Sequence, residues 1–222
     1  MLRERLLVIT DRRLVPGGAL AEHLAAMLDG MPTEFVLVQL REKDLLGREL
    51  FSLAATVREV TARHGVRMLV NSRLDVALAV GADGVHLPED GIPVAAARAL
   101  LGPRLLVGAS AHGAARAKEL RAAGADLVTL GPVWATPSKA AYGPPLGLGP
   151  ITAAGSAFAL GGVDSPARAA AAVTGGAVGV AVMRTLMTAL DPAITARGLL
   201  DAIETPESLD LTHAMRQSSS RF

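Results

Sequence analysis

The chain has 222 residues, half of them hydrophobic and 19% charged, a composition that buries a sizeable core and excludes disorder as the main state. Lys and Arg number 22 against 21 Asp and Glu, and the aromatic residues are four Phe, one Trp and one Tyr; a nucleic-acid surface wants a basic excess and stacking rings, so no nucleic-acid partner is expected. Without any Cys there can be no disulfide, thiolate nucleophile or Cys-zinc site, and the cytoplasm is the expected compartment.

Two stretches resemble membrane or export signals and fail as such. Leu6–Thr10 is too short for a signal core and runs into Asp11-Arg12-Arg13. Ala140–Val163 carries no charge, but six Gly together with Pro144, Pro145 and Pro150 interrupt it, which predicts a buried or site-lining loop and no membrane partner.

Short β-branched runs alternate with Ala/Leu/Arg/Glu-rich segments along the whole chain. Strands are predicted near Leu6–Thr10, Phe35–Leu40, Arg67–Asn71, Gly84–Leu87, Leu105–Ala109, Leu127–Gly131, Ala157–Leu160 and Val178–Met183. Helices are predicted over Gly17–Asp29, Arg48–His64, Arg73–Val80, Pro93–Leu101, Gly113–Ala123, Pro166–Val173 and Thr185–Ile203, while Pro150–Gly155 leaves room for little more than a turn. A weak echo runs from Val80-Gly-Ala-Asp-Gly-Val through Ala123-Gly-Ala-Asp-Leu-Val to Gly175-Gly-Ala-Val-Gly-Val. In each, a Gly closes a helix and a strand follows at once. Eight such units predict a single-domain (β/α)8 barrel over residues 1–203, with an open doubly wound sheet disfavoured because no G-x-G-x-x-G follows the first strand. From Glu204 a polar tail is expected to fray.

In such a barrel the chemistry sits at the carboxyl ends of the strands. Gly161 and Gly162 after the seventh strand, with Met183 and Arg184 opening the last helix, suit a phosphate bound by backbone N–H groups; a tight turn is the plain alternative. Arg41 and Lys43, two residues apart, can leave the barrel mouth on one side and clamp a second anion, or else form a solvated loop. His112, following the fifth strand with Ser110 two residues earlier, is the best acid/base candidate. Lys139, in a loop with Thr136 and Ser138, could reach over the mouth. Trp134 and Tyr142 could cover a planar substrate or pack the loop.

Leu7-Val-Ile-Thr-Asp11, Val38-Gln-Leu-Arg-Glu-Lys43, Leu69-Val-Asn71, Gly81-Ala-Asp-Gly-Val-His-Leu87, Gly108-Ala-Ser-Ala-His112, Leu130-Gly-Pro-Val133, Thr136-Pro-Ser-Lys139 and Gly161-Gly162 together resemble the thiamine phosphate synthase superfamily, in order over residues 6–190. The resemblance implies one of two activities. The synthase branch joins a pyrimidine pyrophosphate to a thiazole phosphate with Mg²⁺; the TenI-type branch includes a metal-free tautomerase that aromatises a carboxylated thiazole phosphate. The synthase pattern has an Asp after the third strand and another after the fourth to hold Mg²⁺, where this chain has Ser72 and, by strict alignment, Gly91. His-Leu-Pro after the fourth strand and Ser-x-His after the fifth look like the tautomerase branch, whereas Gln39, Arg41 and Lys43 match the synthase better.

The expectation drawn from this balance is a TenI-like thiazole tautomerase with no cofactor. His112 would transfer the proton, Lys139 would be next in line, Asn71, Arg41 and Lys139 would position the substrate, and Gly161, Gly162, Met183 and Arg184 would hold its phosphate. Gln39, Lys43, Ser110 and Thr136 complete the expected binding set. The alternatives are a thiamine phosphate synthase recruiting Glu89 or Asp90 to Mg²⁺, and a silent phosphate-binding barrel that regulates. A thiazole phosphate is the expected small-molecule partner, and a homodimer is what the resemblance implies.

Overall fold

The computed structural model describes residues 2–136 and 144–203. Eight parallel strands close into one barrel in chain order: β1 (Leu6–Ile9), β2 (Val36–Leu40), β3 (Arg67–Asn71), β4 (Gly84–Leu87), β5 (Leu106–Ala111), β6 (Leu127–Leu130), β7 (Phe158–Leu160) and β8 (Gly179–Val182). The helices between them are α1 (Leu20–Leu28), α2 (Gly47–Arg63), α3 (Leu74–Ala79), α4 (Val94–Leu101), α5 (Ala114–Ala122), α6 (Gly149–Ala154) and α7 (Pro166–Thr174), with α8 (Arg184–Met187) and α9 (Pro192–Ile203) after β8. This is the (β/α)8 barrel expected from the sequence. Among the described residues no helix is long and apolar enough to cross a membrane.

Alternation along each strand sorts the side chains into two layers. One set, including Leu6, Val8, Val38, Val70, Val85, Val107, Val128 and Val180, packs outward against the helices. Leu7, Ile9, Leu37, Leu69, Leu127, Phe158 and Ala181 fill the barrel itself. Glycines make room inside: a Cβ on Gly179 would stand 2.8 Å from the Phe158 ring.

The echoed segments are one structural device. Gly81, Gly124 and Gly176 all have positive φ (64°, 99° and 99°), the conformation that turns a helix end directly into a strand. In the first two, the following Asp ties the lower end of the barrel together. Asp83 accepts from the Met68 amide at 2.8 Å and from Arg58 at 2.9 Å; Asp126 accepts from the Val107 amide at 2.7 Å and pairs with Arg98.

Four predicted boundaries are corrected. The first helix starts at Leu20, not Gly17, because Gly17 and Gly18 both have φ of 74°. A six-residue α6 forms where only a turn was expected: Pro150 suits its first turn and Gly155, at φ 60°, ends it. The segment Thr185–Ile203 is two helices, since Asp191 caps a new start by accepting from the Ile194 amide at 2.9 Å, with Pro192 next. Finally β5 runs to Ala111, which places Ser110 inside the strand and not in the loop after it.

Candidate functional site

Above the apolar filling lies a polar layer contributed by five neighbouring strands. Gln39 donates to Asn71 Oδ1 at 3.0 Å, and Asn71 Nδ2 donates to Ser72 Oγ at 2.9 Å. His86, facing Asn71 across the β3–β4 register, sets Nε2 3.0 Å from Ser110 Oγ, and Thr129 Oγ1 lies 3.3 Å from the same oxygen. Gln39, His86 and Thr129 are almost wholly buried, while Asn71 and Ser110 are half-exposed toward the mouth. Two buried polar atoms here, Gln39 Oε1 and His86 Nδ1, have no partner among the described residues.

Arg41 follows Gln39 by two residues and emerges on the same side of β2. It is half-buried, and its guanidinium contacts Met183 Sδ at 3.9 Å, over the end of β1 from β2 to β8. Burial is the main influence on its guanidinium and lowers its pKa, against the opposing charges of Asp11 and Glu42. Both of those carboxylates are already engaged. Arg13 donates to both oxygens of Asp11 at 3.0 Å and holds that carboxyl below the usual range. Glu42, buried, accepts from Thr10 Oγ1 at 2.6 Å, from the Arg12 amide at 3.1 Å and from the Arg12 guanidinium at 3.1 Å. Thr10 Oγ1 in turn accepts from the Arg41 amide at 2.9 Å. The network fixes the backbone beneath Arg41 while, among the described residues, no carboxylate forms an ion pair with its head group.

His112 sits on the rim, over a third exposed, with Nδ1 against Glu89 Oε2. It is apart from the His86–Ser110–Thr129 group. Gly161 and Gly162, at φ 94° and 72°, are shaped by packing as well as by any ligand: added Cβ atoms would stand 2.8 Å from Pro132 and 2.6 Å from Trp134 Cβ. Arg168 lies over the Trp134 ring at 5.5 Å and donates to the Gly162 carbonyl at 2.9 Å, so Trp134 packs this loop down. Met183 and Arg184 begin the short α8 beside it. Lys43 and Thr136 lie in the segments that follow β2 and β6. Lys139, Ser138 and Tyr142 lie outside the described residues.

The donor set does not fit a carboxylate-held Mg²⁺. Ser72 and Gly91 offer no carboxylate, Glu89 is taken by His112, Asp90 is an exposed loop carboxylate, and among the described residues no three His, Cys, Asp or Glu side chains are grouped to hold a metal ion.

Residues 6–186 match the family described as thiamine monophosphate synthase. The chain belongs to that family. A Geobacter sulfurreducens protein to which the thiamine-phosphate synthase name is provisionally attached is 46% identical over 92% of this chain and 96% of its own. The chain is 43% identical, over 83% of its length, to the thiamine-phosphate synthase of Gloeobacter violaceus, of which it spans 53%. Among solved structures, thiamine phosphate pyrophosphorylase from Pyrococcus furiosus superposes with a TM-score of 0.79 at 31% identity, covering 91% of this chain and 96% of that one.

These relatives overturn the tautomerase, and with it the isomerase class, expected from the His-Leu-Pro and Ser-x-His segments. The two segments occupy different places in the structure. His86 and Ser110 are hydrogen-bonded to each other inside the barrel, and His112 is a rim residue paired with Glu89. His86, Thr129 and the buried Glu42 are the residues that the sequence reading passed over. Alternation from Gln39, two residues before Arg41, was the available signal for an inward polar layer.

Proposed function

We propose that the protein is a thiamine-phosphate synthase, joining a pyrimidine pyrophosphate to a thiazole phosphate with release of pyrophosphate. The reaction is taken from the family and its named relatives; the observation in this chain that supports it is Arg41, a half-buried cation at the mouth whose neighbouring carboxylates are all engaged elsewhere. A desolvated cation without a counter-charge is costly unless an anion completes it. Negative charge grows on the pyrophosphate as its bond to the pyrimidine carbon breaks, so a fixed guanidinium there stabilises the transition state more than the ground state.

In this reading Arg41 and Lys43 receive the pyrophosphate, Gln39 and Ser110 add neutral donors beside it, and Asn71 positions the pyrimidine. Gly161 and Gly162 with the Met183 and Arg184 amides take the thiazole phosphate. Thr136 and Lys139, the latter outside the described residues, complete the binding set. No step is routed through a metal ion, because the described residues group no set of carboxylates to hold one.

The test is a coupling assay with both substrates. One thiamine phosphate formed per pyrophosphate released is the expected result; no coupled product at saturating substrates and excess Mg²⁺ would overturn the reading.

A further inference from the structure

The polar layer contains a buried cluster whose hydrogen-bond polarity can be worked out atom by atom. His86 is 2% exposed. Its Nε2 is 3.0 Å from Ser110 Oγ and 3.4 Å from Thr129 Oγ1, and Thr129 Oγ1 is 3.3 Å from Ser110 Oγ. The other ring nitrogen, Nδ1, is buried without a partner among the described residues and faces Gly108, where a Cβ would come within 2.6 Å of it. Burial, reinforced by the charge of Arg41, pulls the His86 pKa down to about 3, so the ring is neutral and carries one N–H.

That proton has two possible places. On Nδ1 it would be a buried N–H with no acceptor, the rarer and costlier defect. On Nε2 it leaves Nδ1 an unpaired acceptor and gives Ser110 a donor. Ser110 Oγ then receives Nε2–H from one side and the Thr129 hydroxyl from the other. A serine oxygen has two lone pairs and one proton. Both lone pairs are thereby occupied, and its own O–H must donate to a group outside the cluster, on the half-exposed side that opens to the mouth.

We propose that His86 and Thr129 are positioning residues that make Ser110 an obligate hydrogen-bond donor, selecting an acceptor-only anionic oxygen of the substrate. A phosphoryl or pyrophosphoryl oxygen fits this polarity; an ammonium or amide N–H finds no lone pair to accept it. The inference rests on the synthase reading only for naming the anion as pyrophosphate.

Three readouts on the full chain test it. In ¹⁵N-labelled protein, the His86 ring should be neutral with its proton on Nε2 from pH 5 to 8; a proton on Nδ1 would overturn the proposal. Calorimetry with inorganic pyrophosphate should show binding weakened about tenfold to a hundredfold in Ser110→Ala and His86→Phe, and by a smaller factor in Thr129→Val. In His86→Gln, the amide N–H can stand where Nε2–H stood, so most of the affinity should return. Wild-type affinity in both His86→Phe and Thr129→Val would overturn the proposal, as would wild-type affinity in Ser110→Ala. Should His86→Phe not fold, the ring tautomer, His86→Gln and Thr129→Val still decide. In turnover, the same variants should raise KM for the pyrophosphate substrate without a new ionisation in the pH profile. Coupling activity with no difference among variants sinks this inference and leaves the synthase reading standing. Pyrophosphate binding that follows the series in a protein that cannot couple the substrates does the reverse.

Discussion

The two ends of the barrel use the same residue types for opposite purposes. At the lower end, Asp83 and Asp126 each hold a backbone amide and an arginine from a neighbouring helix, and Arg67 donates to Glu4 at 2.6 Å. At the upper end the surrounding charges are also paired, Asp11 with Arg13 and Glu42 with Arg12, yet among the described residues Arg41 has no carboxylate ion pair and two buried polar atoms have no partner. Glu4 Oε2 is the matching orphan below, but its other oxygen is satisfied. The lesson is that paired charges mark where the molecule is stapled, and an unpaired, desolvated cation marks where it is unfinished without a ligand.

The largest effect that would break this comparison is at Arg41. Arg41→Met should lower kcat/KM for the pyrophosphate substrate by about 10²–10³, while the ligand-free protein melts at the wild-type temperature or above it, because a desolvated charge has gone. A drop in melting temperature with intact kinetics would make Arg41 a structural residue. Asp126→Ala is the mirror case: loss of a backbone acceptor and an arginine partner should cost about 1–3 kcal/mol in denaturant unfolding, with turnover per folded molecule unchanged.

The buried histidine predicts a pH effect with a definite sign. A folded-state pKa near 3 lies below the unfolded value, so the unfolded chain binds the proton first. The contribution of a neutral His86 is complete above about pH 6.5 and is lost as pH falls toward 3, with a slope of up to about 1.4 kcal/mol per pH unit. The difference between wild type and His86→Gln, measured by chemical denaturation across that window, isolates it from the carboxylates; parallel curves would contradict the burial argument.

Ser72 sharpens the comparison from the metal side. It already has φ of 62°, a conformation Asp tolerates better than most residues. Ser72→Asp should therefore fold normally and give turnover a several-fold Mg²⁺ stimulation that exceeds the wild-type response, read by titrating the ion; equal responses would mean that the metal, if used, is carried by the substrate. The smallest effect is expected at His112. An exposed His–Glu pair contributes little, so His112→Ala should stay within about tenfold of wild-type kcat, and a much larger loss would bring the rim into the chemistry.

Most of the barrel was legible because its signals are local: β-branched runs for strands, and Gly at the positive-φ positions 81, 124 and 176. The break before α9 was legible too, in Asp191-Pro192, but was lost among apolar residues on both sides. The site divided differently. Arg41, Lys43 and the Gly161–Gly162 turn stand at strand ends and were singled out as candidates by position alone. His86 and Thr129 were not, since each reads as one polar residue inside a buried strand, and only the closure of β4, β5 and β6 brings them to Ser110. The branch of the family was misjudged because short motifs such as His-Leu-Pro and Ser-x-His were weighed above Gln39, Arg41 and Lys43, the residues that matched the synthase better.

The most direct measurement of the central claim is a crystal structure of the protein with pyrophosphate bound. The account predicts the anion at the mouth of β2 and β5, within hydrogen-bonding distance of the Arg41 guanidinium and Ser110 Oγ. Pyrophosphate bound elsewhere, with Arg41 still held against Met183 and Ser110 donating to a protein atom, would contradict it.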